Sequence, residues 1–240
     1  MSLALVTGAS RGIGAASAVA LAAAGHDLAL HYRTDADGAA RVADQVRAAG
    51  ADAHTHHWDP DTDPALLLDQ MPTVPQVVVL AAFPQDITPW PELTPADWDA
   101  MWTGGLRSTA LLLHAVTEAM ASGGAIVLLG SIEGFRPAPG HAPYAVAKAG
   151  LHQLVAAAAT AVGPRGIRVN AVAPGLTERP GLDTDWPEGL ARWSQASALR
   201  RPVTAAEVGA AVAWLAAPAA SGVTGIVLPV DAGWSASPGW

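Results

Sequence analysis

The sequence predicts an α/β fold: a single doubly wound domain whose seven-stranded parallel sheet is flanked by helices. Short apolar runs alternate strictly with longer Ala-rich stretches, the pattern of βαβ units joined by right-handed crossovers. No internal repeat, low-complexity tract or long Pro/Gly linker divides the 240 residues, a length that one α/β domain can fill.

The first run, 3–7, is apolar up to Thr7 and reads as a strand covered on both faces. A helix over 15–24 follows, then a strand over 27–32, a helix over 39–49 and a strand over 53–57. The next helix is short, 66–70, and precedes the valine run at 77–81. A long helix over 95–121 leads to a strand over 125–130. Helices over 144–162 and 205–215 lead to the last two strands, 167–171 and 225–230. The segment 176–199, with its prolines, glycines and acidic residues, reads as a mobile lid.

Composition narrows the function. Net charge is −8 and no basic cluster exceeds the adjacent Arg200 and Arg201, so neither nucleic acid nor an anionic membrane is an expected partner. No apolar run is read as a membrane span, and the N-terminus carries no basic region of a signal peptide. The absence of cysteine excludes disulfides, thiol catalysis and cysteine metal ligands; a cytoplasmic location and no metal are expected. A chain 51% hydrophobic and only 14% charged points to an oligomer with buried helix faces.

Between the first strand and the first helix runs Thr7-Gly8-Ala9-Ser10-Arg11-Gly12-Ile13-Gly14. Glycines there permit a tight turn, close approach of backbone to a pyrophosphate, and close packing of helix on strand. At the end of the second strand, where an NAD site would place a carboxylate for the ribose, stand Tyr32 and Arg33. Together with Arg11 in the glycine loop, Arg33 suits a 2′-phosphate, so NADPH/NADP+ is the expected cofactor.

The chain's single lysine, Lys148, lies four residues after Tyr144, one of two tyrosines. On a helix such residues share a face, with Cβ atoms roughly 5–6 Å apart. A compact ammonium at ~4 Å, at an effective dielectric near 20, favours the phenolate by up to ~4 kcal/mol. That would bring a phenol of pKa about 10 to about 7, where acid–base catalysis is most effective.

These motifs, with Ser131 thirteen residues before Tyr144, Asn170-Ala171-Val172-Ala173-Pro174-Gly175 and the terminal Val223-Thr224-Gly225…Val230-Asp231-Ala232-Gly233, resemble the short-chain dehydrogenase/reductase family over about 3–234. The resemblance is to β-ketoacyl carrier-protein reductases and related carbonyl reductases. It implies a Rossmann-type sheet, hydride transfer at the strand carboxyl ends, and a homotetramer or homodimer. By resemblance Ser131 bonds the substrate carbonyl, Tyr144 transfers the proton, and Lys148 binds the nicotinamide ribose and lowers the tyrosine pKa. Pro174, Gly175 and Thr177 would cradle the nicotinamide, Asp59 would sit near the adenine, and Ala81 and Ala82 would offer backbone groups to the cofactor.

The chain departs from the family pattern in three places. Leu80-Ala81-Ala82-Phe83 replaces Asn-Asn-Ala-Gly, Gly105 replaces the asparagine of the long helix, and the stretch 59–80 is short. That asparagine kinks the helix and helps hold a water in the proton relay. Gly104 and Gly105 permit a kink, and the relay is expected to use either water bonded to backbone carbonyls there or a side chain such as His114 or Ser108. Gly105→Asn is accordingly expected to be tolerated. Phe83, Trp90, Glu133, Phe135, Arg136, His141, Trp186 and Trp193 are candidates for a pocket holding a bulky, partly apolar carbonyl substrate, carrier-bound thioesters included. The expected function is NADPH-dependent carbonyl reduction. The alternatives are dehydration or cyclisation on the same scaffold, or a nucleotide-binding regulatory protein.

Overall fold

The structure is a computed structural model that describes residues 2–236. Seven strands form one parallel sheet: β1 (Ser2–Thr7), β2 (His26–Tyr32), β3 (Ala53–His57), β4 (Val77–Leu80), β5 (Ala125–Leu129), β6 (Arg168–Pro174) and β7 (Val227–Val230). Their order is β3-β2-β1-β4-β5-β6-β7, every neighbouring pair parallel. Winding reverses between β1 and β4, and the crevice outside the strand carboxyl ends at such a switch point is where α/β sheets bind ligands.

Strand side chains alternate between two apolar layers. Val6 and Leu30 pack with Leu21 of α1 (Gly12–Ala23) and with Val208 and Val212 of α9 (Ala205–Ala216). Leu5, Val78 and Leu128 pack on the other face with Leu112 and Val116 of α5 (Ser108–Ala119) and with Leu151 and Val155 of α6 (Ala142–Val162). Both faces are covered over the centre of the sheet, so β4 and β5 read as continuous apolar runs.

The remaining helices are α2 (Ala36–Ala48), α3 (Ala65–Leu68), α4 (Pro95–Met101), α7 (Leu182–Asp185) and α8 (Pro187–Ala196). Local chemistry sets several starts. Asp35 caps α2 by accepting from the Gly38 N–H at 2.8 Å, and Thr94-Asp97 and Thr204-Glu207 form capping boxes on α4 and α9. The short α3 fits the shortened stretch before β4.

Two expectations need correction. The helix expected over 95–121 is divided: α4 passes into a π-helical turn, Trp102–Arg107, before α5 begins. Gly104 and Gly105 lie in that turn, so the kink the glycine pair permits is realised as a π-bulge. Strand β6 continues past residue 171 to Pro174, because its register with β7 runs through Pro174↔Val230. Within 176–199 the chain forms α7 and α8. On length and mean hydropathy, moreover, Ala142–Arg165 would qualify as a membrane span. It carries the buried Lys148 and packs its apolar residues against the sheet, as a core helix does.

Candidate active site at the strand carboxyl ends

A cleft of ≈ 1110 Å³ opens at the carboxyl ends of β1, β2, β4, β5 and β6. Its floor at one end is the glycine loop. Gly8 and Gly12 have φ of +64° and +58°, a region open to glycine. At Gly14 an added Cβ would fall 2.2 Å from the Gly8 carbonyl oxygen, so only glycine lets helix α1 lie this close to the turn. Helix α1 has no side-chain cap and no acidic residue in its first turn, which leaves its N–H groups open to an anion. Side chains fix the loop from below: Thr7 Oγ1 accepts from the N–H groups of Ala81 (2.9 Å) and Ala82 (3.1 Å), and Ser10 Oγ donates to the Asp35 carbonyl at 2.8 Å.

His31, which the sequence reading passed over, holds the loop from the side. Its Nδ1 accepts from the Gly8 N–H at 3.3 Å, which leaves Nε2 to donate to the Trp58 carbonyl at 3.0 Å. Burial pushes its pKa down to about 4, despite the carbonyl bond that raises it.

Ser10, Arg11, Ile13, Tyr32 and Arg33 all line this end of the cleft, where a dinucleotide phosphate and adenosine would fit. The nearest carboxylate, Asp35, also lines it, but Oδ1 is engaged in capping α2. Pro60 lines the cleft next to Asp59, whose Oδ1 accepts from the Asp61 N–H at 3.1 Å in an Asx turn.

The other end of the cleft gathers Ser131, Tyr144 and Lys148. Ser131 ends the loop after β5, and its hydroxyl accepts from the Glu133 N–H at 3.1 Å. Tyr144 and Lys148 lie one turn apart on α6, both buried. The ammonium donates to the Leu129 carbonyl at 2.6 Å. Burial pushes the phenol up to about 12; a hydrogen bond with Ser131 opposes the rise and the Glu133 charge adds to it. Burial also brings Lys148 down to about 7. Burial is the largest influence on the phenol and acts against the lowering that the i,i+4 spacing suggested.

Phe83 and Gly105 complete this end. An added Cβ at Gly105 would fall 2.7 Å from Cζ of Phe83, the far end of that side chain, so Gly105→Asn requires the ring to shift. The same ring meets Tyr144 edge-on at 5.8 Å and lies under the Lys148 ammonium, 3.6 Å from its centroid. Ser108 donates to the Gly104 and Gly105 carbonyls of its own helix at 3.0 and 3.1 Å, and His114 is exposed on α5. Thr109 adds a third bond, to the Gly105 carbonyl at 2.8 Å.

Around the mouth, Glu133 pairs with His141 at 2.8 Å, and His141 lies edge-on to Tyr144 at 6.3 Å. Trp186 and Trp193 line the cleft. Trp193 stacks on Trp234 at 5.5 Å, a residue the sequence reading left out, and Arg136 lies 5.9 Å from the Trp234 ring. Gly175 is tight against this pair, since an added Cβ would fall 2.7 Å from Trp193 Cζ2. Pro174 and Thr177 line the same wall, with Thr177 Oγ1 donating to the Gly175 carbonyl at 3.1 Å. Trp90 and Phe135 do not line the cleft; Phe135 stacks on His152 at 4.4 Å instead.

A dinucleotide-binding switch point beside a buried tyrosine, lysine and serine defines an oxidoreductase of the Rossmann class. The family described as enoyl-(acyl carrier protein) reductase matches residues 8–235. The chain is 38% identical to cis-4-hydroxycyclohexanecarboxylate dehydrogenase of Sinomonas cyclohexanicum, over 98% of this chain and 96% of that one. It is 34% identical to the 3-oxoacyl-[acyl-carrier-protein] reductase FabG of Pseudomonas aeruginosa, over 96% of each. The angucycline C-6 ketoreductase LanV, solved with bound NADP, superposes with a TM-score of 0.90 at 30% identity, covering 97% of this chain and 95% of LanV. The chain belongs to the short-chain dehydrogenase/reductase family, oxidoreductases that interconvert alcohols and ketones with a nicotinamide cofactor.

Proposed function

We propose that this protein is an NADPH-dependent reductase of a small-molecule ketone. The observation that carries the reading is the convergence of Ser131, Tyr144 and Lys148 at one end of a cleft whose other end presents Arg11 and Arg33. The cofactor, when bound, supplies the hydride. Ser131 bonds the carbonyl oxygen and Tyr144 delivers the proton to it. Burial keeps the phenol protonated at neutral pH, the form a proton donor must have. Lys148 stands one turn away, positioned to bond the cofactor's ribose and to offset the charge left on Tyr144.

Gly8, Gly12 and Gly14 take the pyrophosphate, with the open N-terminus of α1, and Pro174, Gly175 and Thr177 take the nicotinamide end. Arg11 and Arg33 take the 2′-phosphate, and the strand end carries Tyr32 and Arg33 in place of a carboxylate. We read the chain as one domain in which 176–199, with Trp186 and Trp193, covers the substrate. Phe83, Glu133 and His141 line the substrate side. Carrier-bound thioesters fall within the substrate range suggested by the FabG likeness, and ring alcohols and ketones within that of the cyclohexanecarboxylate enzyme. Exposed Trp102, Leu111 and Val146 support assembly as a homodimer or homotetramer, in the cytoplasm.

Charge-assisted bonds to a phosphate contribute roughly 1.5–3 kcal/mol each, so NADPH should bind tens of times or more better than NADH. Dissociation constants at fixed salt test this. Equal affinities, or a preference unchanged by Arg33→Ala, would contradict the assignment.

A further inference from the structure

Phe83 sits where three observations meet. Its ring face lies 3.6 Å from the Lys148 ammonium, its ring contacts Tyr144 at 5.8 Å, and its edge fills the side-chain volume of residue 105. The ammonium is buried, and among the described residues its one hydrogen bond is to the Leu129 carbonyl. A buried ammonium has three donors to satisfy, and an aromatic face offers it negative potential where no second acceptor is present. The carbonyl of Gly105, on the π-bulge that the ring meets, already accepts from Ser108 and Thr109.

We propose that Phe83 is a positioning residue: its ring face holds the Lys148 ammonium beside Tyr144, and residue 105 is glycine because the ring takes up its side-chain space. The inference rests on the proposed role of Lys148, but its test does not require turnover. Removing the ring face leaves the ammonium with one partner, so its charged form becomes less favourable. The other titratable groups facing this spot are Tyr144 and His152 on α6, the latter sensing the Lys148 charge, and the Glu133–His141 pair across the cleft.

Because Lys148 is the only lysine, protein made with ¹³C-lysine gives one side-chain ε-methylene signal, whose titration reports the ammonium directly. Phe83→Leu keeps apolar volume and loses the ring face; its Lys148 midpoint should fall by about 0.5–1 pH unit. Gly105→Ala, which intrudes on the ring, should lower it likewise, and the double variant should go no lower than Phe83→Leu alone. Mono-, di- and trifluorophenylalanine at position 83 keep the shape and weaken the ring face stepwise, which guards against a Leu variant that folds poorly; the midpoint should fall with each fluorine. A midpoint that does not move along the fluorinated series, or that rises in Phe83→Leu, overturns the proposal and leaves the ring as packing. NADPH oxidation by the same samples reads the proposed function separately: a protein that reduces no carbonyl but still shows the fluorine trend refutes that function and not this inference.

Discussion

Acid should loosen this protein through His31, a residue that takes no part in the proposed chemistry. His31 is 1% exposed and held in one neutral tautomer, with Nδ1 accepting from Gly8 and Nε2 donating to Trp58. Protonation would set a new N–H against the Gly8 N–H, with no water to screen it. Its folded pKa of about 4 lies below the ordinary 6.5, so the unfolded chain takes up the proton first as pH falls. The stability this ring contributes is complete above pH 6.5 and is lost as pH falls toward 4. A shift of that size corresponds to about 3 kcal/mol, a large part of the ~5–15 kcal/mol that holds a domain folded. Urea unfolding followed by tryptophan fluorescence across that range measures it. In His31→Gln the Gly8 N–H loses its acceptor, so stability near neutrality should drop by about 1–3 kcal/mol. The further loss on acidification should then be smaller than in the wild type by about 3 kcal/mol. Parallel acid losses in the two proteins would refute the reasoning, since the remaining titrating groups, His152 among them, are common to both.

Two further substitutions probe the walls of the cleft. Gly14→Ala places a Cβ 2.2 Å from the Gly8 carbonyl oxygen, and the loop must open to accommodate it; cofactor affinity should collapse and stability fall by about 1–3 kcal/mol or more, read by titration and urea unfolding. Gly175→Ala drives a Cβ to within 2.7 Å of both Trp193 Cζ2 and Asp231 Cβ. It should raise KM for the carbonyl substrate severalfold by displacing the Trp193–Trp234 stack, an effect that steady-state kinetics would detect.

The central strands were legible because β1, β4 and β5 are buried and appear as apolar runs, while β3 (Ala53–His57) was placed by the strand–helix alternation around it. The Tyr144–Lys148 pair and the glycine loop were equally legible, since helix periodicity and turn geometry act over a few residues. What the sequence hid depends on contacts between distant segments. At the π-bulge, Trp102–Arg107, the ring of Phe83 from the loop after β4 fills the space that a side chain at Gly105 would take. Residue 105 therefore looked like vacant space in the sequence and is filled space in the fold. The rise in the Tyr144 pKa belongs to the same class, because spacing reveals a neighbouring charge but not the loss of water around both groups. His31 gave a faint signal, a polar residue inside an apolar strand run one position before Tyr32, and it could have been flagged on that ground.

The central claim is that Tyr144 supplies the proton for an NADPH-driven carbonyl reduction. It is tested most directly by following NADPH oxidation over a panel of ketones and β-ketoacyl thioesters, with wild-type protein and Tyr144→Phe, alongside the NADPH dissociation constant of each. The account predicts turnover of at least one carbonyl by the wild type. In Tyr144→Phe it predicts a rate reduced by about a hundredfold or more, with cofactor affinity nearly unchanged, because only the proton donor is gone. A variant that keeps more than about a hundredth of the wild-type rate would place the acid elsewhere, with His141 the next residue to test.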